Sequence, residues 1–182
     1  APYFDYVGEL AGQRDRGFYS YTLGSWTMVA MNSNIAIGAG SEQLGWLDTL
    51  LASSSPCTLV YFHHPLFSSG PSQGDKRMLE VWRTLYRRRA DIVLNGHDHL
   101  YERFAPQDPD CRLDVAKGIR EFVVGSGGAR LYSVGAIRPN SETRASVWGV
   151  LRLRLQARGY DWEFVPVAGQ SYRDVGSGTC VQ

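Results

Sequence analysis

Two apolar runs in this chain end abruptly in histidine, and that pairing narrows the fold more than any other feature. The first is "CTLVYFHHP" at 57–65 and the second is "DIVLNGHDH" at 91–99. Between them, "DKRMLEVWRTLYRRRA" at 75–90 places Met78, Val81, Trp82 and Leu85 on one helical face. Short apolar runs without alternation are the pattern of strands covered on both faces. Strand, helix and strand in this order make a βαβ unit, whose crossover leaves the two strands parallel. Ligands in such sheets bind beyond the carboxyl ends of the strands, so "HHP" and "GHDH" fall together where a site is expected. The chain has four histidines, and these two motifs contain them all.

Around this unit the sequence alternates between strand and helix patterns. "GFYSYTLG" and "WTMVAMNS", joined at Gly24 and Ser25, predict a hairpin. "SEQLGWLDTLLASS" predicts a helix over 41–54, capped by Ser41, with Leu44, Leu47, Leu50 and Leu51 on its inner face. After Tyr101 the chain becomes β-rich. "REFVVGSGG" and "SVWGVLRLRLQARGYDWEFVPV" predict antiparallel strands, with a turn at Gly159, while the polar, glycine-rich tail from 169 predicts loose packing. The fold class is α/β, in one domain spanning 1–182.

Composition favours few specialised classes of function. A net charge of +1 gives no electrostatic reason to expect nucleic acid or an anionic membrane as a partner. No apolar stretch reaches the ~20 residues that span a bilayer, and "APYFDYVGEL" has the form of neither a leader nor an anchor. Cys57, Cys111 and Cys180 have no metal-ligand spacing. They leave room for one disulfide and a spare thiol, but the favoured reading of Cys57 is a small buried hydrophobe.

In an extended segment His97 and His99 face one side and Asp98 the other, the geometry of a chelating pair. Imidazole suits zinc, iron, nickel and copper, and Gly96 permits a sharp turn before the ligands. Pro65 holds His64 extended, so His63 and His64 are expected to point apart: His63 as ligand, His64 as a second-shell or substrate-contacting group. "GSGG" at 125–128 lacks the lysine of a phosphate-binding loop and predicts a close-packed turn.

"YFHHPLFSSG", "NGHDHLYERF" and "FVVGSGG", in that order, resemble the C-terminal half of a calcineurin-like metallophosphoesterase on the purple acid phosphatase side of that superfamily. The resemblance implies half of an αββα sandwich, mixed sheets flanked by helices. It implies hydrolysis of phosphoric esters, mono- or diesters, at a dinuclear site of iron, zinc or manganese. By motif, His63, His97 and His99 become metal ligands; His64, from its place beside the first of them, is the candidate catalytic residue. Tyr101, Glu102 and Arg103 support the loop. The family's earlier motifs, D-x-H, G-D and G-N-H-[ED], have no counterpart here, so the expectation is two ions in a complete site and at most one in this chain. The partners expected are a phosphate ester and the missing N-terminal half, or an equivalent chain. An extracytoplasmic location is favoured, and the alternative function is an inactive binding module.

Overall fold

The computed structural model describes residues 2–53 and 56–181. Helix α1 (Pro2–Val7) leads into the hairpin of β1 (Tyr19–Leu23) and β2 (Trp26–Ala30). Helix α2 (Glu42–Leu51) follows, its first turn capped by the Ser41 hydroxyl, which accepts from the Leu44 amide at 3.3 Å. The end of the expected helix, near 54, lies outside the described residues. Strand β3 (Cys57–Tyr61), helix α3 (Leu79–Arg87) and strand β4 (Ile92–Asn95) form the βαβ unit, with β3 and β4 parallel neighbours.

Strands β5 (Tyr101–Phe104), β6 (Arg120–Val124) and β7 (Ser141–Ala145) complete a seven-stranded mixed sheet in the order β1-β2-β3-β4-β6-β5-β7. A second, antiparallel sheet joins β8 (Gly149–Gln156), β9 (Gly159–Pro166) and β10 (Asp174–Thr179) in the order β10-β9-β8. Among the described residues no helix is long and apolar enough to cross a membrane.

Successive side chains on a strand point to opposite faces, and here the two faces carry two cores. Val29, Val60, Val93 and Val123 pack with Leu47 and Leu51 of α2 and with Val81, Trp82 and Leu85 of α3. Their neighbours Met28, Leu59, Ile92 and Phe122 turn the other way and pack with Tyr160, Trp162 and Phe164 of the small sheet.

The tail corrects the sequence reading twice. Residues 174–179 are the strand β10, paired with β9 along its whole length, and Cys180 is disulfide-bonded to Cys57. Cys57 is buried at the start of β3, as a hydrophobe would be, but its burial serves a covalent tie 123 residues long in sequence. Cys111 is the free thiol. Long-range partners, rather than local propensity, order a tail rich in glycine and serine.

Asp91 reinforces that tie: its carboxylate accepts from the Thr58 amide at 2.7 Å and the Val181 amide at 2.5 Å. Burial pushes its carboxyl up from 3.8 to about 7, with the two amides pulling the other way. The folded protein therefore keeps this proton over a pH range in which the unfolded chain has lost it. The stability so gained is complete below about pH 4 and is lost as pH rises through about 7. His63 and His64, both shifted down, act in the opposite sense near neutrality. Subtracting the profile of Asp91→Asn isolates the aspartate. Thermal melts from pH 4 to 8 should show wild type losing ground to Asp91→Asn by up to about 4 kcal/mol. Parallel profiles for the two proteins would refute this.

Candidate metal centre

The site is built at the carboxyl ends of β3 and β4. Phe62 donates its amide to the Leu94 carbonyl at 3.1 Å, and the Gly96 amide donates to the His63 carbonyl at 3.1 Å, so parallel pairing continues past both strands. Between them the buried Asn95 side chain donates to the Phe62 carbonyl at 2.8 Å. His63 and His97 meet across this seam, with His63 Nε2 and His97 Nδ1 3.2 Å apart. Gly96 runs directly beside the His63 ring: a β-carbon there would lie 3.4 Å from it, in van der Waals contact. The sharp turn expected at Gly96 falls instead at His97, which holds a left-handed φ of 62°. A non-glycine residue in that region carries a conformational cost that neighbouring contacts must offset.

The expectation that His63 and His64 point apart is not met. Their ring centroids lie 4.9 Å apart, and His64 is 4.6 Å from His97. The reason is that β3 ends at Tyr61, so strand alternation no longer governs the two histidines. One nitrogen from each of His63, His64 and His97 forms a group within 4.8 Å. His99 stands apart from that group. The bend at His97 breaks the extended geometry that would have aligned the pair. His99 instead stacks on Tyr132 at 4.2 Å and donates from Nδ1 to the Arg130 carbonyl at 2.8 Å.

Burial is the first cause lowering the pKa of His63, followed by the charges of His97 and His99. Burial likewise leads for His64, followed by His97 and His63. All of these effects favour neutral imidazoles, the form that binds metal. The donor set fits one transition-metal ion. Among the described residues no carboxylate joins the three imidazoles, so the group has no anionic bridge for a second ion.

Several supporting residues carry no signal that composition or spacing could reveal. Ser33, near the start of the loop after β2, contacts His64 Nδ1 at 2.8 Å and accepts from its backbone amide at 3.3 Å. That loop is held by Gln43, whose buried amide group accepts from the Asn32 amide at 2.7 Å and donates to the Asn32 carbonyl at 3.0 Å. Asp98 does point away from the histidines, as read. It is buried, accepts from the hydroxyls of Ser68 and Ser72, and bolts the GHDH loop to the one that follows His64. Gly125, in the close-packed turn after β6, lies so near the Asp98 carbonyl that a β-carbon would come within 2.1 Å of it.

Glu102 acts on the same loop, accepting from the Ser69 amide at 2.7 Å and hydroxyl at 2.5 Å. Beside it the fully buried Glu121 has its carboxyl pushed well above the usual range, first by burial and then by Glu102. Tyr101 and Arg103 have a different target. Both donate to Asp174, at 2.6 and 2.8 Å, and so fasten β5 to β10 rather than to the histidine loops.

No family model matches the chain. It is 30% identical over 154 residues to purple acid phosphatase 21 of Arabidopsis thaliana, covering 76% of this chain and 34% of that protein. With purple acid phosphatase 18 of the same plant it shares 30% identity over 129 residues, covering 67% of this chain and 29% of that one. Among solved structures, a purple acid phosphatase from yellow lupin (Lupinus luteus) seeds superposes with a TM-score of 0.79 over 92% of this chain and 33% of its own, at 22% identity. In sequence and in fold the chain is thus similar to part of a calcineurin-like purple acid phosphatase. It spans about a third of the length of the curated relatives it matches.

Proposed function

We propose that this chain supplies the C-terminal histidine ligands of a metal-dependent phosphoric ester hydrolase. The observation that carries the reading is the convergence of His63 and His97 from the ends of two parallel strands, within a fold shared with purple acid phosphatases. His63 and His97 would hold one ion of a pair, and His99, its Nδ1 proton committed to Arg130, would offer Nε2 to the other. Ions of iron, zinc or manganese would supply Lewis acidity toward the phosphoryl oxygens and an acidified water. His64, oriented by Ser33, faces the phosphate, while Asp98 and Glu102 hold the two loops in register.

The carboxylates that such a pair needs are supplied by the N-terminal part that the longer relatives carry, in the same polypeptide or as a separate chain. The disulfide supports an extracytoplasmic location, because such bonds persist in oxidising compartments.

Hydrolysis of p-nitrophenyl phosphate and its diester tests the reading. The 182 residues alone should stay at the background rate with any of the three metals. The protein expressed from its entire reading frame, upstream codons included, should turn over in a metal-dependent way. His97→Ala in that protein should reduce turnover by a factor of at least about 10³, the scale on which a positioned catalytic group acts. Hydrolysis by the 182 residues alone would overturn the half-site, and a fully active His97→Ala protein would overturn the ligand assignment.

A further inference from the structure

We infer that His63, His64 and His97 form, within this chain alone, a three-imidazole site for one divalent transition-metal ion, with His64 in the place that sequence resemblance gives to His99. The inference concerns the 182 residues alone, where no carboxylate among the described residues shares the ion; in the complete site proposed above those carboxylates take the place of His64, which then turns to the phosphate, so the two readings hold or fail independently.

The geometry is that of a ligand set. His63 Nε2 and His97 Nδ1 are 3.2 Å apart, close to the span between two nitrogens that each lie ~2.0–2.1 Å from a shared ion. The group including His64 closes within 4.8 Å, so small side-chain rotations bring all three nitrogens onto one centre. Ser33 settles which nitrogen of His64 takes part. With Nδ1 engaged at 2.8 Å, Nε2 is the atom left to bind. A ligating histidine that gives its other nitrogen to a fixed partner is the usual arrangement, and that partner orients the ring.

His99 has the same kind of partner but points elsewhere. The Arg130 carbonyl and the Tyr132 ring hold it outside the trio. The left-handed His97 acquires a reason as well: the bend swings its ring toward His63 and His64 and carries His99 away. Zinc, cobalt and nickel, in their divalent states, suit three nitrogens with the remaining position open. Beside His63 lies a cavity of about 350 Å³, lined also by Phe4, Met31, Asn32 and Ser33, with room for water or a small anion.

Co²⁺ titration of the 182-residue chain, followed by its visible absorption, provides the test. One ion should bind per chain. His63→Ala, His64→Ala and His97→Ala should each weaken binding by at least tenfold, and Ser33→Ala by about tenfold. His99→Ala should stay within threefold of wild type. Zn²⁺ added to ¹⁵N-labelled wild-type chain gives a readout that no variant can confuse. The ring nitrogens of His63, His64 and His97 should shift and those of His99 should not. Wild-type affinity in His64→Ala, or a loss in His99→Ala equal to that in His97→Ala, would overturn the site. So would a Zn²⁺ shift at His99 with none at His64.

Discussion

Replacing Cys57 and Cys180 together by serine is expected to lower the stability of this protein by about 5 kcal/mol. The bond joins residues 123 apart in sequence. Closing a loop of that size removes enough freedom from the unfolded chain to stabilise the native state by about 4.7 kcal/mol or slightly more. For a chain of this length that corresponds to a fall in melting temperature of roughly 10–20 °C. The loss should be structural as well as entropic. With the tie gone, β10 is held by its ladder to β9 and by the ion pair between Asp174 and Arg103. Melting the double variant beside wild type, with and without reductant, measures the effect. Reductant should bring wild type to the level of the variant, and Cys111→Ser should change little. A reduced wild type that melts with the oxidised form would show that the bond contributes nothing.

The second large effect concerns association. Strands β2, β3 and β4 run parallel, and parallel strands are ordinarily covered on both faces. Here Tyr61 and Leu94 on one face are only half-buried, and they border an open groove of about 850 Å³ shared with Trp26, Leu153 and Leu155. A second hollow of about 600 Å³ continues it past Leu151 to His63. Strand β8 is an edge of the small sheet, so its backbone is free to pair with another strand. The N-terminal part proposed above as the source of the carboxylates would also be the natural cover for this face.

Without that cover the 182-residue chain should self-associate at tens of micromolar, as exposed apolar strand surface does. Sedimentation velocity should show the fraction of oligomer falling by about tenfold in Leu153→Asp, Leu155→Asp double-variant protein. The same chain within its entire reading frame should stay monomeric under these conditions. A wild-type 182-residue chain that remains a single monomer at several hundred micromolar would mean that the groove needs no cover.

What was legible in the sequence follows the reach of each interaction. The βαβ unit could be read because its signals are local: apolar runs, a helical face at Met78, Val81, Trp82 and Leu85, and histidine at each strand end. Strand β7, "SETRA", was not legible, since it has no apolar alternation and is held by pairing with β5. Nor was β10, which is ordered by partners far away in the chain. At the site the motif pointed to the right strand ends. The period-two argument failed for His64 and His99 because both stand beyond the strands, where a left-handed residue and a serine contact set the directions. Ser33, Gln43 and Asp98 are common polar residues whose importance lies in which loop they meet.

The tie between Cys57 and Cys180 also decides how the molecule would behave after a cut. The stretch from 125 to 140 has no regular structure, and Arg130 within it is exposed, which makes it an accessible site for trypsin. Cleavage there leaves β1 to β6 on one piece and β7 with the whole small sheet on the other, yet the disulfide joins one piece to the other. The nicked protein would migrate as a single species until it was reduced. Its small sheet would stay seated, while His99, whose partner is the carbonyl at the cut, would be the first of the four histidines to lose its place.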